Sequence, residues 1–296
     1  MYSFRSETRE LDDVARRLTD GSYVHLSNGL THYELGNPAG DPTVVLVHGF
    51  SVPSYIYDPT FAFLASNGFR VLRYDLLGRG FSDRPNVNYD IDQFVLQLAE
   101  LLDALDIGRP VCLAGLSMGG PITAAFTARY PQSVTKLILI DPAGARDLFF
   151  SPLLKLVAAP GVGERLLDLA GNGGVIRTIA SAIYDRKLAE DFVERYMVQV
   201  QYKGFRNAIL STLRHNVIGC CIDTYRRVGS LGKPVLLLWG RHDTTVPLRQ
   251  SDDLRAAMPA VEFHVIEDCS HIPHYEKPEV TNAILLDFLR KECTKG

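Results

Sequence analysis

The sequence has no run of about 18 apolar residues, the length that a membrane-spanning helix needs. Its first twenty residues carry many charged side chains, whereas a secretory signal peptide needs an apolar centre. Clusters of lysine and arginine are also missing, and the formal net charge is −3. Because nucleic-acid binding depends on concentrated positive charge, we expect a cytoplasmic protein without a membrane span or a nucleic-acid partner.

Cysteine is scarce, with five residues, an odd number, and no C-x-x-C spacing. This argues against a disulfide framework and against a zinc site. What the sequence does have is enough apolar side chains to build a large core, 46% of 296 residues. The length and composition are typical of one globular domain that carries an insertion.

Short apolar runs alternate with segments of helical periodicity along most of the chain. The runs that predict strands are residues 43–48, 71–75, 111–116, 137–141, 235–240 and 261–266. Runs that are apolar throughout are typical of parallel strands covered on both faces. Helices are predicted at residues 7–18, 91–105, 121–130, 248–258 and 278–290, and a hairpin around Asn28-Gly29. The pattern predicts an α/β protein with a mostly parallel, doubly wound sheet.

One long interval interrupts this alternation. Residues 143–230 contain several segments with helical periodicity and no comparable strand. A structureless loop of this length is implausible inside a compact domain. We therefore predict a core made of residues 1–142 and 231–296, with residues 143–230 as an inserted helical cap over the carboxyl edge of the sheet, where ligands bind in open α/β folds.

Residues 111–121, VCLAGLSMGGP, combine a buried strand, a sharp turn and the start of a helix. A serine on such a turn needs small neighbours, and Gly115 and Gly119 provide them. The unpaired N–H groups at the start of the helix stabilise negative charge that develops beside the serine. This pattern predicts that Ser117 is a catalytic nucleophile on a strand-to-helix elbow.

A serine nucleophile needs a base, and the base needs an acid that holds its tautomer. His271 lies in a predicted loop after the last strand, at the sheet edge to which Ser117 points, and His274 is the alternative. Asp243 ends the preceding predicted strand, and Asp141 is its rival. We favour Asp243 and His271, because their loops and their order in the chain suit a Ser-Asp-His triad.

Two backbone N–H groups should bind the negatively charged oxygen of the reaction intermediate. One belongs to the residue after the nucleophile and the other to a loop after an earlier strand, and these positions correspond to Met118 and Phe50. Asp75, which precedes a glycine-rich turn, is interpreted as a cap of that turn.

The sequence resembles the α/β-hydrolase superfamily over nearly its whole length. The resemblance is carried by HGF at residues 48–50, DLLGRGFSD at 75–83, GLSMGG at 115–120, WGRHDTTVP at 239–247 and CSHIPHYEKPE at 269–279. It implies that Ser117, Asp243 and His271 are the nucleophile, acid and base, and that neither a cofactor nor a metal takes part.

Within the superfamily, dehalogenases and epoxide hydrolases have an aspartate where this chain has Ser117. C–C hydrolases of aromatic ring-cleavage products typically have a tryptophan where this chain has Ile272, which weakens that alternative without removing it. The resemblance favours a serine carboxylesterase or a monoacylglycerol-lipase-like enzyme acting on a small-molecule ester. A slow-turnover small-ligand receptor of the same fold is a further alternative, and the sequence does not indicate the oligomeric state.

The start of the proposed cap is unusually apolar. Phe149 and Leu153 lie outside the strand and helix pattern that builds the core, yet are too apolar for an exposed helix. We predict that they form a roof over the triad and contact the substrate together with Ile272, and the alternative is a cap helix that packs only against its neighbours.

Overall fold

The structure, a computed structural model, describes residues 2–147, 156–171, 173 and 183–292. Its strands are β1 Ser22–Leu26, β2 Gly29–Gly36, β3 Thr43–Val47, β4 Arg70–Tyr74, β5 Val111–Leu116, β6 Val134–Ile140, β7 Val235–Gly240 and β8 Glu262–Ile266. Its main helices are α1 Asp13–Arg17, α2 Asp58–Ser66, α3 Ile91–Ala104, α4 Gly119–Arg129, α5 Val162–Ala170, α6 Arg186–Gln199, α7 Phe205–Arg214, α8 Ile222–Ser230, α9 Ser251–Ala257, α10 Pro273–Glu276 and α11 Pro278–Arg290. In these described ranges, no helix has both the length and the apolar character needed to cross a bilayer.

The strands form one sheet in the order β1-β2-β4-β3-β5-β6-β7-β8. Strands β1 and β2 make an antiparallel hairpin in which Leu26 lies opposite Gly29, and β2 also runs antiparallel to β4. The remaining pairings, from β4 to β8, are parallel. The prediction of an α/β fold with a mostly parallel sheet is confirmed, and the carboxyl ends of β3 to β8 meet at one edge.

The strands are covered on both faces, which explains their uninterrupted apolar sequences. On β3, Val45 and Val47 pack into one apolar layer, whereas Val44 and Leu46 pack into the other, because successive side chains of a strand point to opposite faces. Residues of α3, α4, α8 and α9 complete the first layer, and residues of α2 and α11 complete the second.

Between β6 and β7 the described residues form α5, α6, α7 and α8 and contain no strand of the sheet. Helix α8 differs from the others because Tyr225 is fully buried in the apolar layer beside α4 and donates a hydrogen bond to the Ala143 carbonyl oxygen at 2.7 Å. We propose that residues 143–230 form a helical cap on a core of residues 1–142 and 231–296. Helix α8 would be the part that returns the cap to the core.

The helix predicted over residues 7–18 is wrong in its first half, because α1 covers only Asp13–Arg17. The preceding residues 2–10, here called the N-terminal arm, lie against the segment between β6 and β7 instead. The buried carboxylate of Glu7 accepts hydrogen bonds from the backbone N–H groups of Gly204 (2.8 Å) and Arg206 (2.6 Å), and Arg9 forms a β-bridge with Tyr202. These long-range bonds satisfy polar groups of the arm in place of helical ones.

Lys136 on β6 is buried although it carries a charge. Its ammonium group donates hydrogen bonds to the carbonyl oxygens of Phe288 (2.8 Å) and Leu289 (2.9 Å), in the last turn of α11. The last carbonyl groups of a helix have no partner within the helix, and the negative end of the helix dipole attracts a cation there. Lys136 therefore fastens the last helix to the sheet.

Replacing Lys136 by methionine keeps most of the side-chain volume but leaves these carbonyl groups without a donor. We expect the free energy of unfolding to fall by roughly 1–3 kcal/mol, the cost of unsatisfied buried polar groups. Chemical denaturation monitored by circular dichroism measures this. The matched control is Lys187→Met at an exposed position, and an equal effect of the two variants would contradict the assignment.

Candidate active site

Ser117 lies at the turn between β5 and α4 with a φ of 51°, a left-handed conformation that strains a residue other than glycine. Both flanking glycines are required by close backbone contacts. A Cβ on Gly115 would lie 2.3 Å from the carbonyl oxygen of Gly119, and a Cβ on Gly119 would lie 2.2 Å from that of Val47. The strand, turn and helix predicted around Ser117 are therefore present.

Backbone hydrogen bonds hold this turn against the neighbouring strand. The N–H of Ser117 donates to the Ile140 carbonyl oxygen at 2.9 Å, and the Ser117 carbonyl oxygen accepts from the N–H groups of Gly120 (2.9 Å) and Ala143 (3.0 Å). The side chain is left to point out of the carboxyl edge of the sheet.

Asp243 and His271 follow β7 and β8 at the same edge. The Nδ1–H of His271 donates to Oδ2 of Asp243, with 2.7 Å between nitrogen and oxygen. The other oxygen of Asp243, Oδ1, accepts from the backbone N–H groups of Thr245 (2.7 Å) and Val246 (2.9 Å). The Asp243 side chain is fully shielded from solvent. With Nδ1 engaged in this way, the other ring nitrogen of His271 is left to act as a base.

Ser117 and His271 line one cavity of about 140 Å³. Its apolar walls include Val52, Ile56, Leu116, Ile183, Phe192 and Ile272. Of the residues predicted to contact substrate, Ile272 lies in this wall, whereas Phe149 and Leu153 lie outside the described residues. The sequence analysis missed Ile183 and Phe192, which come from the segment between β6 and β7, because neither stands out from its neighbours in the sequence.

A larger cavity, of about 320 Å³, lies beside Arg73 and Arg195 and contains neither Ser117 nor His271. Both arginines are paired with carboxylates there, Arg73 with Glu34 and Asp58 and Arg195 with Asp58. Its lining offers polar groups that are largely paired with one another, so the smaller cavity is the candidate site.

His48 shapes the loop after β3 on which Phe50 lies. Its Nδ1–H donates to the Gly49 carbonyl oxygen and its Nε2 accepts from the Leu76 N–H, both at 2.9 Å. Burial lowers the pKa of His48 to about 4, so the ring stays neutral and keeps both bonds. A Cβ on Gly49 would lie 3.2 Å from that of Ser117, which shows how closely the loop approaches the serine.

The backbone N–H groups of Phe50 and Met118 have no hydrogen-bond acceptor among the residues that the structure describes. The side chain of Met118 is buried in the core, so only its backbone can serve the site. Both residues adjoin Ser117, Met118 in the chain and Phe50 through the Gly49 contact. Their positions suit the predicted binding of an oxyanion.

Arg79 is fully buried and was not singled out by the sequence analysis, although it lies inside the DLLGRGFSD motif. Its Nε donates to the Phe50 carbonyl oxygen at 2.9 Å, and its Nη2 donates to Oγ1 of Thr212 on α7 at 2.7 Å. Burial lowers the pKa of Arg79 to about 10, which still leaves the group charged at neutral pH. Arg79 therefore links the Phe50 loop to α7.

Asp75 caps its turn, as predicted. Its carboxylate accepts from the backbone N–H groups of Ser54 and Phe81, each at 2.9 Å, and from Nδ1 of His32 at 2.9 Å. Burial opposes the charge of Asp75, but the neighbouring His32 and these bonds outweigh it and hold the pKa below its usual range.

The two alternative residues are arranged differently from the favoured pair. His274 is fully buried beside the ring of Tyr57, and burial lowers its pKa to about 3, which makes it a poor base. Asp141 accepts from the Gly240 N–H at 2.9 Å and makes no hydrogen bond to His271. The geometry therefore brings together Ser117, Asp243 and His271.

An organophosphate should form a covalent adduct at Ser117, because that serine shares its cavity with an imidazole that can take its proton. Ser117→Ala should abolish the mass increase, and His271→Ala should slow it strongly. Intact-mass and peptide mass spectrometry measure both effects. Ser230→Ala, at an exposed serine, is the control, and an adduct on a serine other than Ser117 would contradict the assignment.

The model of the α/β-hydrolase fold family matches residues 42–278. The chain is 29% identical over 265 residues to a 2-hydroxy-6-oxo-2,4-heptadienoate hydrolase of Pseudomonas putida, an alignment that covers 86% of this chain and 91% of the relative. It is 23% identical over 277 residues to a human monoacylglycerol lipase, with 90% and 81% of the two chains covered.

Among solved structures, a thermophilic esterase from Thermogutta terrifontis superposes with a TM-score of 0.77 at 23% identity, covering 93% of this chain and all of that chain. An enol-lactonase from Burkholderia xenovorans gives 0.75 at 23% identity, with 91% and 100% covered. At this level of identity the structural likeness bears on the fold alone. Since the family model spans most of the sequence, the chain belongs to the α/β-hydrolase fold family.

Proposed function

We propose that the protein is a serine hydrolase that cleaves carboxylic esters of small to medium apolar acyl groups through an acyl-enzyme intermediate. The observation that carries this proposal is the apolar cavity that Ser117 shares with His271, whose Nδ1 is bound by Asp243. A nucleophile, a base and an acid are thereby combined with a site for an uncharged chain.

In the proposed reaction, Oγ of Ser117 attacks the ester carbonyl carbon while His271 takes the hydroxyl proton. The carbonyl electrons move onto oxygen, and the N–H groups of Phe50 and Met118 bind the resulting anion. When the intermediate collapses, the alcohol leaves with the proton from His271. Water then attacks the acyl-enzyme in the same way, with His271 again as base, and Ser117 is released with the carboxylic acid.

The choice of substrate follows from the cavity walls. Apart from His271, the described residues that line it contribute no charged side chain. A charged acyl group would lose its hydration there without gaining a partner, and this costs several kcal/mol. An aliphatic chain gains about 0.8 kcal/mol for each methylene that it buries. The proposal therefore favours uncharged substrates.

A second candidate is hydrolysis of a C–C bond in an aromatic ring-cleavage product. Two relatives favour it. The Pseudomonas putida relative is a 2-hydroxy-6-oxo-2,4-heptadienoate hydrolase, and a 2-hydroxy-6-oxononadienedioate hydrolase from Paraburkholderia phymatum is 31% identical over 285 residues. Such substrates carry carboxylates, for which a cationic partner is expected. The described cavity lining has no lysine or arginine, so we rank ester cleavage first.

A series of p-nitrophenyl esters from acetate to laurate tests the proposed specificity. We expect kcat/KM to rise by up to about fourfold per methylene until the cavity is full, and charged acyl groups to be rejected. Phe192→Ala should reduce the gain for chains that reach the cavity wall, and Phe149→Ala and Leu153→Ala test the predicted roof. Leu169→Ala, at an exposed position, is the control.

A flat dependence on chain length in all these proteins would contradict an acyl-binding role for the cavity. Wild-type protein that binds the esters but scarcely turns them over would favour a slow-turnover receptor instead. Faster cleavage of a ring-cleavage dienoate than of every ester would favour the C–C hydrolase.

Asp243→Asn should lower kcat by on the order of 10⁴, because the N–H groups of Thr245 and Val246 select the amide oxygen. The amide N–H₂ group then faces Nδ1 of His271, and the ring takes the wrong tautomer. Asp141→Asn should cost far less. Steady-state kinetics with the best ester measures both, with Asp252→Asn on the surface as control. A larger loss in Asp141→Asn than in Asp243→Asn would transfer the role of the acid to Asp141.

A further inference from the structure

Asp141 follows the last residue of β6 and is fully buried. Its backbone has a φ of 42°, and its N–H donates to the Leu238 carbonyl oxygen at 2.9 Å, so its position is set by the sheet. One carboxyl oxygen, Oδ1, accepts from the Gly240 N–H at 2.9 Å. The other, Oδ2, is buried and faces no donor in the described part of the chain.

Asp141 lies beside the pair formed by Asp243 and His271. One carboxyl oxygen of each aspartate and one ring nitrogen of His271 lie within 4.8 Å of one another. Both oxygens of Asp243 are already served by donors, namely two backbone N–H groups and the imidazole. A contact between the two carboxyl groups therefore needs a proton between them.

The surroundings decide which carboxyl group holds that proton. Asp243 accepts from three donors and Asp141 from one, so the negative charge is better stabilised on Asp243. Among the described residues, no lysine or arginine forms an ion pair with Asp141. The other titratable groups that face it are Glu276 on α10 and Cys269 after β8, and neither supplies positive charge.

Burial raises the pKa of Asp141 well above its usual range, and the charge of Asp243 is the second cause of this shift. Two buried carboxylates without a cation cannot both be ionised at this distance, as in other carboxyl pairs that share one proton. A metal ion would be the other way to bring three such ligands together. It would compete with the 2.7 Å bond between His271 and Asp243, which already occupies Nδ1.

We propose that Asp141 is a positioning residue that remains protonated and donates its carboxyl proton to Asp243. The pair then carries one negative charge, and Asp243 is held by a fourth donor in the orientation that binds Nδ1 of His271. This assignment rests on the proposed function, because it matters for catalysis only if Asp243 and His271 act on Ser117.

The substitutions Asp141→Asn and Asp141→Leu separate the donor from the charge, because both replacements are neutral and only asparagine can donate. In Asp141→Asn the Gly240 N–H selects the amide oxygen, so the amide N–H₂ group faces Asp243 and replaces the carboxyl donor. Leucine has a similarly branched but larger side chain and cannot donate. Ester hydrolysis should therefore be weaker in Asp141→Leu than in Asp141→Asn.

The pH profile of kcat/KM reports the ionisation of the base. Asp141→Asn replaces a neutral carboxylic acid by a neutral amide. The acidic limb of the profile should therefore lie at the same pH in Asp141→Asn and in wild type. Asp141→Leu should move this limb to higher pH, because Asp243 without its donor favours the protonated imidazole more strongly. If Asp141 were ionised, Asp141→Asn would remove a negative charge and lower the limb by about one to three pH units. That result would overturn the proposal.

Thermal unfolding of wild type and Asp141→Asn gives a test that needs no substrate. A carboxyl group whose pKa is raised by folding keeps a proton that the unfolded chain releases, so its contribution to stability falls as the pH rises through this interval. The Tm of Asp141→Asn minus that of wild type should become more positive between about pH 5 and pH 8. A constant difference would mean that Asp141 is ionised in the folded protein.

The two tests distinguish failure of this inference from failure of the proposed function. If wild type hydrolyses no ester, the proposed function fails, while the Tm series still decides the protonation of Asp141. Both series are repeated with EDTA. A loss of Tm on chelation that occurs in wild type but not in Asp141→Asn would show that a cation, and not a proton, joins the carboxyl groups.

Discussion

The arrangement of the site depends on the close backbone contacts at the end of β5. Gly119 lies against the carbonyl oxygen of Val47, the last residue of β3, and Ser117 donates its N–H to Ile140, the last residue of β6. The strained turn is thereby fixed between two strands. One of them continues into the loop of Phe50, and the other continues into Asp141, so a small displacement of the turn would alter the surroundings of the serine on both sides.

Charged side chains buried among apolar residues support this arrangement. Asp75, Arg79 and Lys136 are almost completely shielded from solvent, and each is bound mainly to backbone groups of another element. A buried charge is tolerated when its hydrogen bonds are satisfied, and it then fixes the position of whatever it binds. Asp75 fixes its own turn, Arg79 fixes the loop of Phe50, and Lys136 fixes the end of the last helix.

The strands and the elbow could be predicted because their patterns are local. A parallel strand shows a continuous apolar run, and a nucleophile turn needs glycines at fixed positions beside Ser117. The first half of the helix predicted over residues 7–18 was wrong, because helical periodicity does not reveal that Glu7 binds backbone groups about 200 residues away. Ile183 and Phe192 could not be identified as cavity residues for a similar reason. Their role depends on how the fold brings the segment between β6 and β7 next to Ser117 and His271.

The N-terminal arm also bears on the order in which the protein folds. Its partners, Tyr202, Gly204 and Arg206, are synthesised long after Glu7 and Arg9. During translation residues 2–10 therefore have to wait without these contacts until residues 202–206 have emerged from the ribosome. Contacts so distant in sequence form slowly because a long loop must close first. Residues 2–10 would then be among the last to reach their final place, although they are synthesised before the strands of the sheet.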